Sequence, residues 1–572
     1  MEKINRLIKL FKYYNLDGYI IPKNDEFFSE YVNPNKDNLR YISNFTGSYG
    51  FALILKKKNY LFVDGRYTLQ AKLECGKFFN ILNVSKYLPS KIIKSKRTRI
   101  GFDPRLFTSN LLTLLFGKNK CKLISINKNL IQNDNYFRNK QQNKKFYKLP
   151  KKAVGENYKL KLKNLLEITK RNDIDTQFIT ASENIAWLLN IRGQDADYSP
   201  IPNSYLLIDQ NKKINFFCNL KSVDRKFRNN FDKINFVDIK NTDLFISRIE
   251  GKKILLDKLT CSFYFENIIK KNNKIIQNID PIYQLKSTKS KNEIKNSIRA
   301  HNVDGAALTK FLFWVKKNYN KGIITEISAQ EKLFSFRKKN KSFRSLSFPT
   351  ISGSGPNGAI IHYKANKKTN RLLQKGDIYL VDSGGQYYYG TTDVTRTISL
   401  GNNNKKIREI FTRVLKGHIA VAKYKIKKNI NGSHIDNAAR RSLKEISLDY
   451  AHGTGHGVGY FLNVHEGPHG ISKNNKNKFK EGMIISNEPG YYKNGKFGIR
   501  IENLLYIKKN GKDFKFENLT MAPIDKSLID KKILRKDEKQ WLNNYHNKVF
   551  QNLKRLMNKS EKLDLKMACS KI

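Results

Sequence analysis

Residues 376–393, GDIYLVDSGGQYYYGTTD, set one aspartate on a strand and a second beyond the break that ends it. Alternation with period two puts Ile378, Leu380 and Asp382 on one face. Ser383-Gly384-Gly385 interrupts that strand, and a second β-prone run from Thr391 to Ile398 carries Asp393. Carboxylates on neighbouring strands can converge on one point. Their apolar neighbours place that point inside the protein, where an unpaired carboxylate is costly. A cation is therefore expected between them, with its other ligands supplied from elsewhere in the chain. Two surface aspartates flanking a hairpin turn are the plainer alternative from this stretch alone.

The downstream sequence decides between the two. Four of the nine histidines lie in AHGTGHGVGYFLNVHEGPHG, residues 451–470. Gly453, Gly455, Gly457 and Gly459 let backbone pack close to a ligand, and they argue against a helix bearing His452 and His456. MIISNEPG (483–490) sets Glu488 at the end of an apolar strand, in register with Ile484 and Ser486. GIRIENLLYI (498–507) sets Glu502 in another strand, flanked by Ile501 and Leu504. An acid within such an apolar run is rarely unpaired. Asp382, Asp393, His456, Glu488 and Glu502 thus form a candidate metal site, each from its own strand or loop. Four carboxylates and one imidazole nearly neutralise two divalent cations. Oxygen-rich ligands with a single nitrogen suit manganese, and cobalt, iron and zinc also fit. Such a dinuclear site generates hydroxide at neutral pH and clamps a carbonyl.

At 572 residues the chain exceeds one compact core and suggests two to four domains. Hydrophobic residues make up 39% and aromatics 12%, so disorder is not the default. The formal net charge of +60 invites nucleic-acid binding. The excess, however, is mostly lysine spread among asparagine and isoleucine along nearly the whole length. No zinc-finger or RNA-recognition signature accompanies it, and a bias in composition accounts for it, so no specific nucleic-acid partner is expected. Cys75, Cys121, Cys218, Cys261 and Cys569 are far apart and odd in number, without a CxxC pair. Neither a disulfide framework nor a thiolate zinc site is indicated. The N-terminal MEKINRLIKLFKYYNLDGYIIP has no apolar run of signal-peptide length. No stretch approaches the roughly 18 uninterrupted apolar residues of a membrane span. A cytoplasmic protein with no membrane partner is expected.

From the N-terminus, helical apolar spacing covers residues 3 to 14, and strand-like runs follow at Tyr19–Ile21, Phe51–Leu55 and Tyr60–Val63, with a helix expected from Arg66. This α/β pattern fades into NDNYFRNKQQNKK (133–145), a polar linker. A second unit then echoes the first. NLDGYII, YISNFTGS and FALIL (15–55) parallel DIDTQFIT, WLLNIRG and YLLID (173–209), as in a duplicated α/β fold. The third unit opens with a helix over 291–317, followed by a second at about Glu326–Lys338. SFPTISGSGPNGAIIHY (347–363) reads as loop then strand, with His362 near the strand's end. Helices are expected at about 405–425 and 435–445.

These residues closely match the M24 metallopeptidases of the pita-bread fold, and within them the long, three-domain aminopeptidase P group. The resemblance rests on DGRYTLQA (64–71), AWLLNIRG (186–193), SGPNGAIIHY (354–363), DSGGQYYYGTTDVTRT (382–397), HGTGHGVGYFLNVHEGP (452–468), NEPGYY (487–492) and GIRIENL (498–504). The tail FENLTMAPIDKSLID (516–530) with WLNNYH (541–546) resembles the C-terminal segment of the long forms. The implied architecture mixes α/β and α+β. Two creatinase-like N-terminal α/β domains (1–135 and 150–283) precede a pita-bread catalytic domain (287–510) and a C-terminal extension (515–572).

The resemblance also implies roles. Asp393 and Glu502 bridge two divalent ions, most simply manganese; Asp382 completes one ion's ligands, while His456 and Glu488 serve the other. A bridging hydroxide attacks the carbonyl preceding proline, with Glu488 as proton shuttle. His465 stabilises the tetrahedral intermediate, and His362 and His452 position substrate and proline. Arg396 and Arg500 are candidates to support the carboxylates or simply to balance charge. His418, His434 and His469 match no family site and read as ordinary core or surface residues. The expected activity is removal of the N-terminal residue from peptides with proline second, by a homodimer formed through the catalytic domain. Prolidase shares the five ligands and is the near alternative. A non-catalytic pita-bread nucleic-acid binder is a further one, although such proteins typically lose ligands that are all present here.

Overall fold

The computed structural model describes residues 2–117, 120–131, 144–427 and 430–572. Two compact units emerge. The first holds residues up to Pro150 together with Glu156–Tyr283, and the second holds Lys151–Gly155 together with Gln284–Ile572. Residues 133–143 of the expected linker lie outside the described residues.

The first unit contains two six-stranded sheets. In one, β1 (Gly18–Pro22), β2 (Phe51–Leu55), β3 (Asn59–Val63), β4 (Asn80–Asn83), β5 (Arg99–Phe102) and β6 (Lys122–Ser125) stand in the order β4-β3-β2-β1-β5-β6. In the other, β7 (Thr176–Ile179), β8 (Ser204–Asp209), β9 (Ile214–Cys218), β10 (Ile234–Asp238), β11 (Lys253–Asp257) and β12 (Lys274–Asn278) stand in the order β10-β9-β8-β7-β11-β12. The central strand of each sheet pairs antiparallel on one side and parallel on the other, β1 between β2 and β5, β7 between β8 and β11. The outer strands β4, β6, β10 and β12 are all joined in parallel. The repeated sequence blocks are thus the same strands of a repeated sheet. FALIL in β2 and YLLID in β8 are buried at all but their last residue, which is why they read as continuous apolar runs.

The second unit carries the candidate site. Its entry helix, Lys291–Asn318, begins at Ser290, whose hydroxyl accepts from the Glu293 N–H while the Glu293 carboxylate accepts from the Ser290 N–H. The helices Glu326–Lys338, Lys405–Ala422 and Gly432–Lys444 follow, each within three residues of its expected bounds. Strand Ile378–Ser383 lies between Ile351–Ser354 and Val394–Ser399, antiparallel to both, with Asp382 opposite Ile351 and Thr395. A second sheet pairs Ile484–Asn487 with Asn503–Asn510, which in turn pairs with Asp513–Asn518.

Several strand assignments shift. Asp393 is not inside a strand but in the two-residue gap between Gly390–Thr391 and Val394–Ser399. Glu502 likewise sits in the gap between Phe497–Arg500 and Asn503–Asn510, and Glu488 lies one residue past the strand Ile484–Asn487. His362 lies in a turn after the short 3-10 helix Gly355–Ala359, and no strand spans 355–363. In each case β-prone residues continue through the break, so alternation alone does not reveal it. A ligand must turn its carboxylate toward a shared point, and the local break in pairing permits that.

Candidate metal centre

Backbone pairing brings the five candidate ligands to one place. The Glu502 N–H donates to the Thr395 carbonyl (3.1 Å), and Thr395 stands opposite Asp382 in the sheet. The Glu488 N–H donates to the Thr454 carbonyl (2.8 Å), which fixes that acid against the glycine-rich loop. The His456 N–H donates to Ser486 Oγ (2.9 Å), and the same hydroxyl donates to Glu488 Oε1 (3.1 Å). Gly455 has no room for a Cβ, which would fall on the Ser486 carbonyl. Glycine there lets the histidine loop lie directly on the strand leading to Glu488.

The side chains then converge. His456 Nε2 lies 3.5 Å from Asp393 Oδ2 and 3.6 Å from Glu488 Oε1. One donor atom each from Asp393, His456 and Glu502 fall within 4.8 Å of one another. His456 Nδ1 donates to the Gly457 carbonyl (2.9 Å), leaving Nε2 with its lone pair turned to the acids. Asp393 and Glu502 are 5% and 1% exposed. Burial, then repulsion from Asp382 and Glu488, pushes the Asp393 carboxyl well above its ordinary range. Burial and the neighbouring Asp393, Asp382 and Glu488 do the same to Glu502. Asp382 Oδ1 is buried without a hydrogen-bond partner. Crowded acids, one imidazole lone pair and an unmet carboxylate oxygen are the donor set that hard divalent cations take. The residues fit two such ions.

Around them runs a polar chain. Arg500 Nη2 donates to Asp382 Oδ2 (2.7 Å), Arg500 Nη1 to the Tyr492 hydroxyl (2.6 Å) and Arg500 Nε to Thr395 Oγ1 (3.0 Å). The Thr395 hydroxyl donates to Glu502 Oε2 (2.9 Å). The Tyr492 hydroxyl reaches His452 Nε2 (2.8 Å), and His452 Nδ1 donates to the Gly453 carbonyl (2.7 Å). Arg396 acts differently, donating to the backbone carbonyls of Glu502 (2.6 Å) and Thr395 (2.9 Å), so it holds the chain beneath the acids and not their carboxylates. The His465 ring lies 4.2 Å from that of His456. His362 is half-buried, and the neighbouring Ile361 carbonyl accepts from Arg500 (3.4 Å). His418 and His469 are core residues, and His434 is exposed at a helix start, paired with Asn431. Tyr492 and Thr395 were not singled out from the sequence, and Ser486 entered only as a register partner of Glu488, although all three lie inside the motifs quoted above.

Four family models match in series. They are two creatinase/prolidase N-terminal domains (3–132 and 137–293), metallopeptidase family M24 (295–509) and the C-terminal region of peptidase M24 (512–572). A probable Xaa-Pro aminopeptidase P of Laccaria bicolor is 37% identical, covering 95% of this chain and 89% of its own. Xaa-Pro aminopeptidase 1 of Dictyostelium discoideum is 35% identical over 98% and 94%. Among solved structures, the X-prolyl aminopeptidase of Caenorhabditis elegans, described as a cytosolic enzyme with a di-nuclear active site, superposes with a TM-score of 0.95. It is 30% identical and covers 100% of this chain and 99% of its own. A prolidase of Pyrococcus furiosus, 26% identical, reaches a TM-score of 0.51 over 62% of this chain and 98% of its own.

Proposed function

This chain belongs to the M24 metallopeptidases, among the Xaa-Pro aminopeptidases, and from that premise we propose how its residues perform the reaction. It is a metal-dependent exopeptidase that removes the N-terminal residue of peptides with proline in second position. One observation carries the assignment of its site: Asp382, Asp393, His456, Glu488 and Glu502 form one acid cluster, on a chain matched end to end by aminopeptidases of this specificity. In this reading these five would hold two divalent ions, with Asp393 and Glu502 as the ligands common to both, Asp382 serving one and His456 and Glu488 serving the other. Manganese suits the donor set. When bound, such ions polarise the scissile carbonyl and lower the pKa of water to the neutral range.

The chain's own groups do the rest. Arg500 neutralises Asp382 and sets the plane of its carboxylate. Glu488, the more exposed of the acids, takes the proton from the nucleophile and returns it to the leaving proline nitrogen. His465, on the open side of His456, donates to the oxygen that gains charge in the tetrahedral intermediate. His452, oriented by Tyr492, and His362 position substrate and proline.

Prolidase is the nearest alternative. The two N-terminal sheets and the C-terminal extension favour the aminopeptidase, since the solved prolidase matches only 62% of this chain. A homodimer and a cytoplasmic location belong to the same reading. All five cysteines are free, which fits a reducing compartment. Among the described residues no helix is long and apolar enough to cross a membrane. The test is a manganese-titrated assay of an Xaa-Pro dipeptide, an Xaa-Pro-Yaa tripeptide and an Xaa-Ala-Yaa control. Preferential cleavage of the Xaa-Pro-Yaa tripeptide is expected. Dipeptide-only cleavage would identify a prolidase, and equal tripeptide rates would identify a general aminopeptidase.

A further inference from the structure

Lys286 and Lys289 precede the entry helix of the second unit, and their side chains close around Glu466. All three side chains are 1–2% exposed. Lys289 Nζ donates to Glu466 Oε1 (2.5 Å) and to the Ser287 carbonyl (3.2 Å). Lys286 Nζ lies 3.6 Å from Glu466 Oε2. Removing three charges from water roughly cancels their mutual attraction, so such a cluster adds little stability over apolar packing. Its location offers another reason for it.

Glu466 directly follows His465. Its N–H donates to the Gly457 carbonyl (2.8 Å), the same oxygen that receives the His456 Nδ1 proton. The Gly457 N–H donates to the His469 carbonyl (3.1 Å), closing the loop on itself. A Cβ on Gly457 would fall on the Glu466 carbonyl, and one on Gly459 would approach Glu466 Oε2 to 3.2 Å. Lys289 is anchored in turn, its N–H donating to the carbonyl of Gly482 (3.0 Å), just before the strand that leads to Glu488. One ion cluster thus joins the entry segment, the loop from His456 to His469 and the base of the strand ending at Glu488.

We propose that the Lys289–Glu466–Lys286 cluster is a positioning element for the hydrolysis, fixing the 456–469 loop so that His465 stands beside His456. It acts through His465 and does not touch substrate. The proposal rests on the function given above. The full-length, manganese-loaded protein tests it, with Glu466→Gln, Lys289→Met, the conservative Lys289→Arg and the triple variant Lys286→Met, Lys289→Met and Glu466→Leu. Both disruptive single variants are expected to lose kcat on an Xaa-Pro-Yaa tripeptide by about 10- to 100-fold, with KM within about threefold. Lys289→Arg recovers most of the loss. The triple variant, which leaves no member of the cluster charged and unpaired, regains the parent's thermal midpoint without regaining kcat, which decides the matter even if a single variant fails to fold. Hydrogen exchange at the Gly457 and Glu466 amides, read without substrate, rises in each folded variant that lacks the ion pair. A triple variant as active as the parent, or unchanged exchange, overturns the proposal. Should the parent itself leave Xaa-Pro peptides uncut, the functional reading falls, while the exchange measurement still judges the cluster.

Discussion

Arg500 is 1% exposed, and its guanidinium divides between Asp382, Tyr492 and Thr395. With the Ile361 carbonyl, a rigid planar fork serves four acceptors at fixed angles, which a single ammonium cannot do. Arg500→Lys is therefore expected to keep the fold and lose about tenfold or more in kcat, measured by steady-state kinetics beside a thermal melt. Unchanged kcat would mean that the Asp382 carboxylate needs charge but not orientation. Residue types explain what was legible here. An acid in an apolar strand is rare enough to announce itself, so Asp382, Asp393, Glu488 and Glu502 stood out. Tyr492, Thr395 and Ser486 did not, because tyrosine, threonine and serine are ordinary strand residues whose partners appear only on folding. Lys289 is 177 residues from Glu466, and no local pattern links them.

The helices Lys405–Ala422 and Lys536–Leu553 each bury a histidine, His418 and His546, both 0% exposed. The Ile524 N–H donates to His546 Nε2 (3.1 Å), and His418 Nδ1 donates to the Asn487 carbonyl (3.1 Å). Burial, reinforced by Arg396, pushes His418 down to about 3 from 6.5. Burial, with Lys526 and Arg396, pushes His546 down to about 3. Both imidazoles are neutral in the folded protein, whereas the unfolded chain protonates them near 6.5. Their contribution is complete above that pH and is lost as pH falls toward about 3. The slope is about 1.4 kcal/mol per imidazole for each pH unit. Urea unfolding at pH 7 and pH 5 is expected to show this loss, reduced in His418→Gln. An equal pH dependence in that variant would exclude His418 as a source. At this scale the sequence marked helices well, because apolar spacing sustained over many residues is unambiguous. The strand breaks at Asp393 and Glu502 escaped it, since β-prone residues run on through them.

Across the whole molecule, the paired blocks at 15–55 and 173–209 anticipated two sheets of one strand order, because each block supplies the same buried strands. The preference for proline was not legible in any residue taken alone and came from the resemblance of the whole chain. The +60 charge is dispersed in the same way, with lysines along nearly the whole length. Duplex DNA is therefore expected to bind weakly and without sequence preference, with affinity falling steeply as salt rises; tight, sequence-selective binding near 150 mM salt, in a mobility-shift assay, would contradict this. The central claim concerns the acid cluster. Its most direct test is the manganese bound per chain, by elemental analysis after dialysis, for the parent and Asp393→Ala together. A shared ligand predicts about two ions in the parent and fewer than one in the variant, with turnover lost. Two ions and full turnover in Asp393→Ala would contradict the account.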